Sequence, residues 1–263
     1  MPELPDVATF RLRMARAAVG HAVTAMSLDR PEQLRGATPR AFADRVRGHA
    51  CTRTHRHGKY LFAAIGRGWV ELHFGMDGAL EMLGPPGAPP RGTVARFRFA
   101  EGDTLAFTHP RRLGHIAWIA DPDTRVAETG LGPNALGLDR TTFTDRLADR
   151  RAGIKASRMD QANIAGVGNI YSDEILFHAG LHPKRTADTL DPDETQCLFA
   201  ALQEALQGAV RARADPRNMP PDFLLPHRTA GEHCPSCGGA LQHGTVAGRS
   251  AWWCPPCQPR GRG

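Results

Sequence analysis

Four cysteines, Cys234, Cys237, Cys254 and Cys257, stand as two C-x-x-C pairs with 16 residues between them. Two such knuckles can bring four thiolates to the corners of a tetrahedron, with the intervening residues folded as a β-hairpin, so the spacing points to one structural Zn²⁺. His233 and His243 are alternative ligands nearby, although four sulfurs already close the shell of a structural site. Such a ribbon serves DNA binders, RNA binders and protein-interaction modules alike. At the other end, "MPELPDV" sets Pro2, Glu3, Pro5 and Asp6 ahead of any apolar stripe. These residues suit a helix start, because proline fits the first turn and acidic side chains complement the helix dipole. They also suit chemistry. Removal of Met1 leaves Pro2 with a secondary amine near the α-amino pKa of about 7.7 to 8.0, so a substantial fraction is unprotonated at neutral pH, whereas a lysine at about 10.4 is almost wholly protonated. Such an amine attacks an aldehyde-level carbon and gives a cationic iminium.

Three further segments carry candidate groups. "NIAGVGNIYSDEILFHAG" is a Gly-rich turn entering a helix, whose free N–H groups and the Asn169 amide would suit a phosphate. The same segment also reads as a tight turn before a helix with Val167, Ile170, Tyr171 and Ile175 in the core. "THPRRLGH" sets Arg111 and Arg112 at a strand end, and "HRHGKYLF" sets Lys59 after a turn glycine. Each alone is more often a solvated basic face than a site.

The elements that must position these groups fall into two halves. Val7, Phe10, Met14 and Ala17 or Ala18 form an apolar stripe ending at Gly20, which predicts one amphipathic helix. From about Thr24 to Ile119, short β-branched or alternating runs such as "KYLFAAI", "WVELHF", "TVARFRF" and "HIAWIA" are split by turns including "GPPGAPPRG". They predict an antiparallel β-sandwich interrupted by a helix near "TPRAFADRVRG". The Gly-, Pro- and Asp-rich stretch 121–138 reads as a linker between a first domain, 1–120, and a second, 139–230. In the second, "RTTFTDRLADR", "NIYSDEILFHAG" and "PDETQCLFAALQEALQGAVRARA" carry helical periodicity, and strand signals return only in the ribbon, 231–260. The fold class is α+β in two lobes.

Composition narrows the partner. The 263 residues are 41% hydrophobic and 23% charged, with 33 basic against 27 acidic side chains and a net charge of +6. The chain is globular, and the excess charge favours an anionic partner, nucleic acid ahead of a membrane surface. No apolar run approaches the roughly 18 to 20 residues of a membrane span, and acidic residues occupy the place of a signal's basic region. Cys51 and Cys197 stand alone and four cysteines are paired as metal ligands, so a reduced, cytoplasmic setting without disulfides is expected.

Taken together and in order, "MPELPDV", "HRHGKYLF", "HFGMDGAL", "THPRRLG", "LGPNALG", "MDQANIAGVGNIYSDEILF" and the four-cysteine ribbon resemble the formamidopyrimidine-DNA glycosylase and endonuclease VIII family over nearly the whole chain. The resemblance implies an N-terminal β-sandwich with a catalytic N-terminal helix. It also implies a helix-two-turn-helix domain and a zinc finger, with double-stranded DNA bound between lobes by a monomer. It implies a glycosylase and abasic-site lyase of base excision repair. By this likeness Pro2 attacks C1′ of a flipped nucleotide and Glu3 protonates the sugar ring oxygen. β- and δ-elimination then nick the strand. Lys59, Asn169 and Arg249 would grip phosphates around the lesion, Lys155 would join the DNA contacts, and Met76, Arg111 or Arg112, and Leu113 would fill the vacated stack.

Leu4 favours the formamidopyrimidine branch, where endonuclease VIII proteins usually carry glycine, and oxidised purines are the expected substrates. The chain departs from the family's usual residues at Asp6, for glutamate, at Asp77, for serine or threonine, and at Leu113, for phenylalanine. "RADPRNMPPDFLLPHRTAGEHC" lacks the Gly-Thr-Thr segment and the tyrosine-rich stretch of typical 8-oxoguanine-excising members. Oxidised pyrimidines or abasic sites as main substrates, and an inactive damage-binding protein, are the alternatives. Intact Pro2 and Glu3 argue against the last.

Overall fold

A computed structural model describes residues 1–84, 88–100, 103–148 and 153–260. Parts of the "GPPGAPPRG" turn, the end of "RTTFTDRLADR" and the last three residues lie outside the described residues. Contacts divide the chain into two compact units. The first comprises Met1–Pro2 and Asp6–Gly130, the second Glu3–Pro5 and Leu131–Gly263.

From Asp6 onward α1 (Leu4–Ala18) belongs to the first unit, and its Val7, Phe10, Met14, Ala17 and Ala18 are buried as the stripe predicts. There follow β1 (Val23–Leu28), β2 (Leu34–Arg35), α2 (Pro39–Val46), β3 (Cys51–His57), β4 (Tyr60–Ile65) and β5 (Gly68–His73). β6 (Ala79–Leu83), β7 (Thr93–Phe99), β8 (Thr104–Thr108), β9 (His115–Ile119) and α3 (Pro122–Glu128) complete it. The strands make a four-stranded sheet, β1-β7-β8-β6, and a five-stranded sheet, β2-β9-β5-β4-β3. All pairs are antiparallel except the two-residue β2 beside β9. Phe97, Phe99 and Phe107 from one sheet and Leu61, Val70, Leu72 and Ile116 from the other share a single core with α1. A half-buried sheet must cover its apolar face, and here each sheet covers the other. α2 starts where Thr38 accepts the Ala41 N–H and Pro39 takes the first turn.

Within the stretch 121–138, expected as a linker, lies α3, capped by Asp121 accepting the Thr124 N–H at 2.8 Å. Its opening Asp-Pro pair, part of the composition that suggests a linker, is also a helix start. Arg125 of α3 donates to buried Glu71 on β5 at 2.8 Å, and His115 of β9 shares the same carboxylate at 2.7 Å. The helix therefore belongs to the first unit, which runs to Gly130.

The second unit holds α4 (Arg140–Ala148), α5 (Ile154–Met159), α6 (Asn169–His178), α7 (Pro192–Arg211), β10 (Gln242–Val246) and β11 (Arg249–Trp253). A capping box, Asp191 with Glu194, starts α7. Leu198, Leu202, Ala205 and Leu206 of α7 pack with Tyr171, Ile175 and Leu176 of α6 and with Leu4. β10 and β11 form the expected hairpin, with Ala247 and Gly248 both at positive φ in its two-residue turn. Among the described residues no helix is long and apolar enough to cross a membrane.

Candidate active site

Glu3 is fully buried, and its carboxylate is seated on the start of α6. The N–H of Gly168 donates to Oε2 at 2.7 Å, that of Tyr171 to Oε2 at 3.2 Å and that of Ile170 to Oε1 at 2.8 Å. Three amides at the positive end of a helix favour the carboxylate as an anion. The helix-start N–H groups that the sequence offered to a phosphate are therefore taken by the chain's own third residue.

The Gly-rich turn is shaped for this. A Cβ on Gly168 would collide with the Glu3 carboxyl carbon, and one on Gly166, at φ +118°, would come within 2.6 Å of Leu4. The Leu4 N–H donates to the Gly166 carbonyl at 3.0 Å. Gln161 staples the turn from inside, donating to the Met159 and Val167 carbonyls and accepting the Gly166 N–H at 3.0 Å. Sequence reasoning missed Gln161, although it stands inside the quoted "MDQANIAGVGN". Pro2, directly before Glu3, is half-buried.

Lys59 occupies the turn between β3 and β4 after Gly58, at φ +52°. Arg56 braces that turn by donating to the Gly58 carbonyl at 2.8 Å. Next to it, Tyr60 meets His73 at a 40° tilt with ring centres 4.6 Å apart, and His73 stacks on His115 at 5.3 Å. Burial, aided by His115, pushes the His73 pKa down to about 4, so the ring is neutral at neutral pH.

Met76 and Leu113 are 43% and 57% exposed, large apolar side chains held in solvent. Their loops touch: a Cβ on Gly75 would meet His109 and the Leu113 backbone. Buried His109 accepts the Leu113 N–H through Nδ1 at 3.1 Å, and Arg112 adopts φ +58°. Arg111 and Arg112 are exposed. Asp77 lies 3.4 Å from His109 Nδ1 and 3.5 Å from Arg111 Nε, so part of its charge is spent on Arg111.

Lys155 requires a correction. It was expected among DNA contacts, but it is fully buried, donating to Asp173 at 2.5 Å and to the Ser250 carbonyl at 2.6 Å. Burial raises the Asp173 carboxyl pKa and lowers that of the Lys155 ammonium, while their mutual attraction opposes both shifts. With Arg228 and a backbone N–H also on Asp173, the charged pair is the form the geometry supports. Asn169, at the first position of α6, donates to Ser250 Oγ at 3.2 Å, and Arg249 is exposed at the start of β11.

The four cysteines converge, their Sγ atoms all within 4.8 Å of one another, and among the described residues no histidine joins the cluster. Cys234 and Cys257 lie 3.7 Å apart, Cys237 and Cys254 3.5 Å. Sulfurs at about 2.3 Å from a tetrahedral ion are spaced roughly this way, so the cluster can hold a metal ion. His233 and His243 are exposed.

Known proteins resemble this chain along its length. A family model described as formamidopyrimidine-DNA glycosylase N-terminal domain matches residues 1–116, and one described as formamidopyrimidine-DNA glycosylase H2TH domain matches 130–218. Proteins named formamidopyrimidine-DNA glycosylase from Thermomicrobium roseum and Symbiobacterium thermophilum are 36% and 33% identical. Each alignment spans 98% of this chain and 99% or 90% of the relative. The Lactococcus lactis glycosylase bound noncovalently to DNA with an abasic site superposes with a TM-score of 0.88 at 26% identity, over 98% of this chain and all of that one. A G226P mutant of that protein, with DNA containing Fapy-dG, gives 0.87 at 25% over the same shares.

Proposed function

The chain belongs to the formamidopyrimidine-DNA glycosylase family and is a DNA glycosylase of base excision repair; from that premise we propose the residues and steps by which it acts. Its partner is double-stranded DNA containing an oxidised purine or an abasic site, and Pro2 is the nucleophile. The observation that carries this reading is the three-amide seat of Glu3, which fixes a carboxylate beside the amine that loss of Met1 would free.

The target nucleotide leaves the stack, because its C1′ is otherwise out of reach. The Pro2 nitrogen forms a bond to C1′ and the glycosidic electrons leave with the base. The nitrogen's proton passes to the Glu3 carboxylate and on to the ring oxygen, so Glu3 acts first as base and then as acid. Ring opening gives the iminium, which acidifies the 2′ proton. Loss of that proton expels the 3′ phosphate and a second elimination expels the 5′ phosphate, after which water frees Pro2. Lys59, Asn169 and Arg249 hold the flanking phosphates, and Met76, Arg111, Arg112 and Leu113 occupy the emptied stack. We assign Zn²⁺ to the four cysteines, where it fixes the hairpin that carries Arg249 and takes no part in the reaction. The cytoplasm, with its reduced thiols and DNA, is the proposed site of action.

One observation favours wider lesion scope. Residues 212–233 fold as short turns with Met219, Phe223 and Leu224 buried, and Glu174 holds the Leu224 and Leu225 N–H groups at 2.8 and 2.7 Å. That leaves little chain to cover a flipped purine, so abasic sites and oxidised pyrimidines form the second reading. Borohydride trapping on duplexes bearing 8-oxoguanine, formamidopyrimidine, thymine glycol or an abasic site decides. An adduct that Pro2→Gly abolishes supports the chemistry, and absence of any adduct overturns it.

A further inference from the structure

Asp173 lies on α6 one helical turn beyond Asn169, is buried, and takes no part in the chemistry above. Its Oδ1 accepts from Lys155 on α5 at 2.5 Å, and its Oδ2 accepts from Arg228 at 2.8 Å and from the Trp252 N–H on β11 at 3.1 Å. Lys155 also donates to the Ser250 carbonyl at 2.6 Å, and the Ser250 hydroxyl accepts from Asn169 at 3.2 Å. One carboxylate thus gathers α5, α6, β11 and the run after Leu225–His227. The two β11 residues it captures are Ser250, through Lys155, which immediately follows Arg249, and Trp252, directly, three positions beyond Arg249.

Resting on the phosphate-gripping role proposed for Arg249, we propose that Asp173 is a positioning residue that holds Arg249 and Asn169 in one fixed relation, with Lys155 as its relay. A hairpin only five residues a side, ending in a tight turn, does not fix a long exposed side chain by itself. Hydrogen bonds from α5 and α6 to the backbone at Ser250 and Trp252 supply the missing constraint. Two cations converge on one carboxylate, and the Glu3 carboxylate attracts Lys155 as well. Loss of the Asp173 charge therefore leaves Lys155 and Arg228 facing each other across the root of the hairpin.

A double-mutant cycle on the zinc-loaded full chain tests this, reading equilibrium affinity for a duplex with a tetrahydrofuran abasic analogue and its salt dependence. Asp173→Asn is expected to weaken binding roughly tenfold, as coupled neighbours do, and to lower the salt slope by about one, as for one lost phosphate contact. In an Arg249→Ala background it should change affinity little. Lys155→Met, which severs the Ser250 tie and leaves Asp173 paired with Arg228, should behave alike and serves if Asp173→Asn does not fold. Additive losses in the Arg249→Ala background, or wild-type affinity in the folded single variants, overturn the proposal. If wild-type protein forms no borohydride adduct, it is the catalytic reading that fails.

Discussion

The Glu3 carboxylate and the Gly168 N–H meet at 2.7 Å although 165 positions separate them in sequence. Because a Cβ at Gly168 would collide with that carboxyl group, Gly168→Ala should displace Glu3 by a fraction of an ångström or more. Single-turnover base excision is expected to fall by about two orders of magnitude, the usual cost of a misplaced catalytic group. Circular dichroism should stay that of a folded protein, and unimpaired excision would show that Glu3 does not act from this seat.

Leu113 and Met76 are exposed, so truncating them costs no core packing. Leu113→Ala and Met76→Ala should leave stability within about 0.5 kcal/mol while lowering excision from duplex DNA well below wild type. The same lesion in a single strand, with no stack to fill, should show a smaller loss. Equal losses on both substrates would remove these side chains from the wedge.

Glu71 is buried between His115 and Arg125. Glu71→Gln strands the Arg125 guanidinium and releases α3 from the sheet, which should lower unfolding free energy by about 3 kcal/mol in urea melts. A variant as stable as wild type would mean that α3 is held by other contacts.

Acid should destabilise the first unit in two stages. His73 has a folded pKa of about 4 against an ordinary 6.5, so between those values the unfolded chain binds the extra proton and stability falls as pH falls, by up to about 1.4 kcal/mol per unit. Below about 4 His73 adds no further slope. Burial pushes the Glu71 carboxyl up, but hydrogen bonds from His115 and Arg125 outweigh it and hold it below its ordinary value of 4.5. Its contribution is therefore present above 4.5 and disappears as pH drops through the folded value. His73→Gln should flatten the curve between pH 6.5 and 4, and an unchanged curve in urea melts across that range would refute the assignment.

Metal analysis should find about one zinc per chain, since four thiolates fill one site. Stripping it with a chelator, or Cys254→Ser, should abolish DNA binding while near-ultraviolet signals from the first unit persist. Full affinity after metal removal would separate the hairpin from recognition.

The parts of this design legible in sequence are those encoded at short range. The α1 stripe, the cysteine pairs and the strand runs each repeat within a few residues, so periodicity and spacing reveal them. Lys155 was misassigned because a buried lysine and a surface lysine have the same letter, and only its partners, buried Asp173 and the Ser250 carbonyl, distinguish them. α3 was hidden because Asp121-Pro122 signals a turn and a helix start alike, and the deciding partner, Glu71, lies on a distant strand. The seat of Glu3 was invisible for the same reason: its ligands are backbone amides, which no side-chain pattern records.

That seat also orders events during synthesis. Glu3–Pro5 group with the second unit, not with the sheets that follow them in the chain. A ribosome exposes the first unit long before the turn at Gly166–Gly168, so the amides that seat Glu3 are absent from the chain while the strands are being made. The carboxylate finds its place only once Tyr171 has emerged. If Pro2 is the nucleophile proposed above, its neighbouring carboxylate reaches its seat only when that turn is present, so the proposed chemistry waits for the second unit.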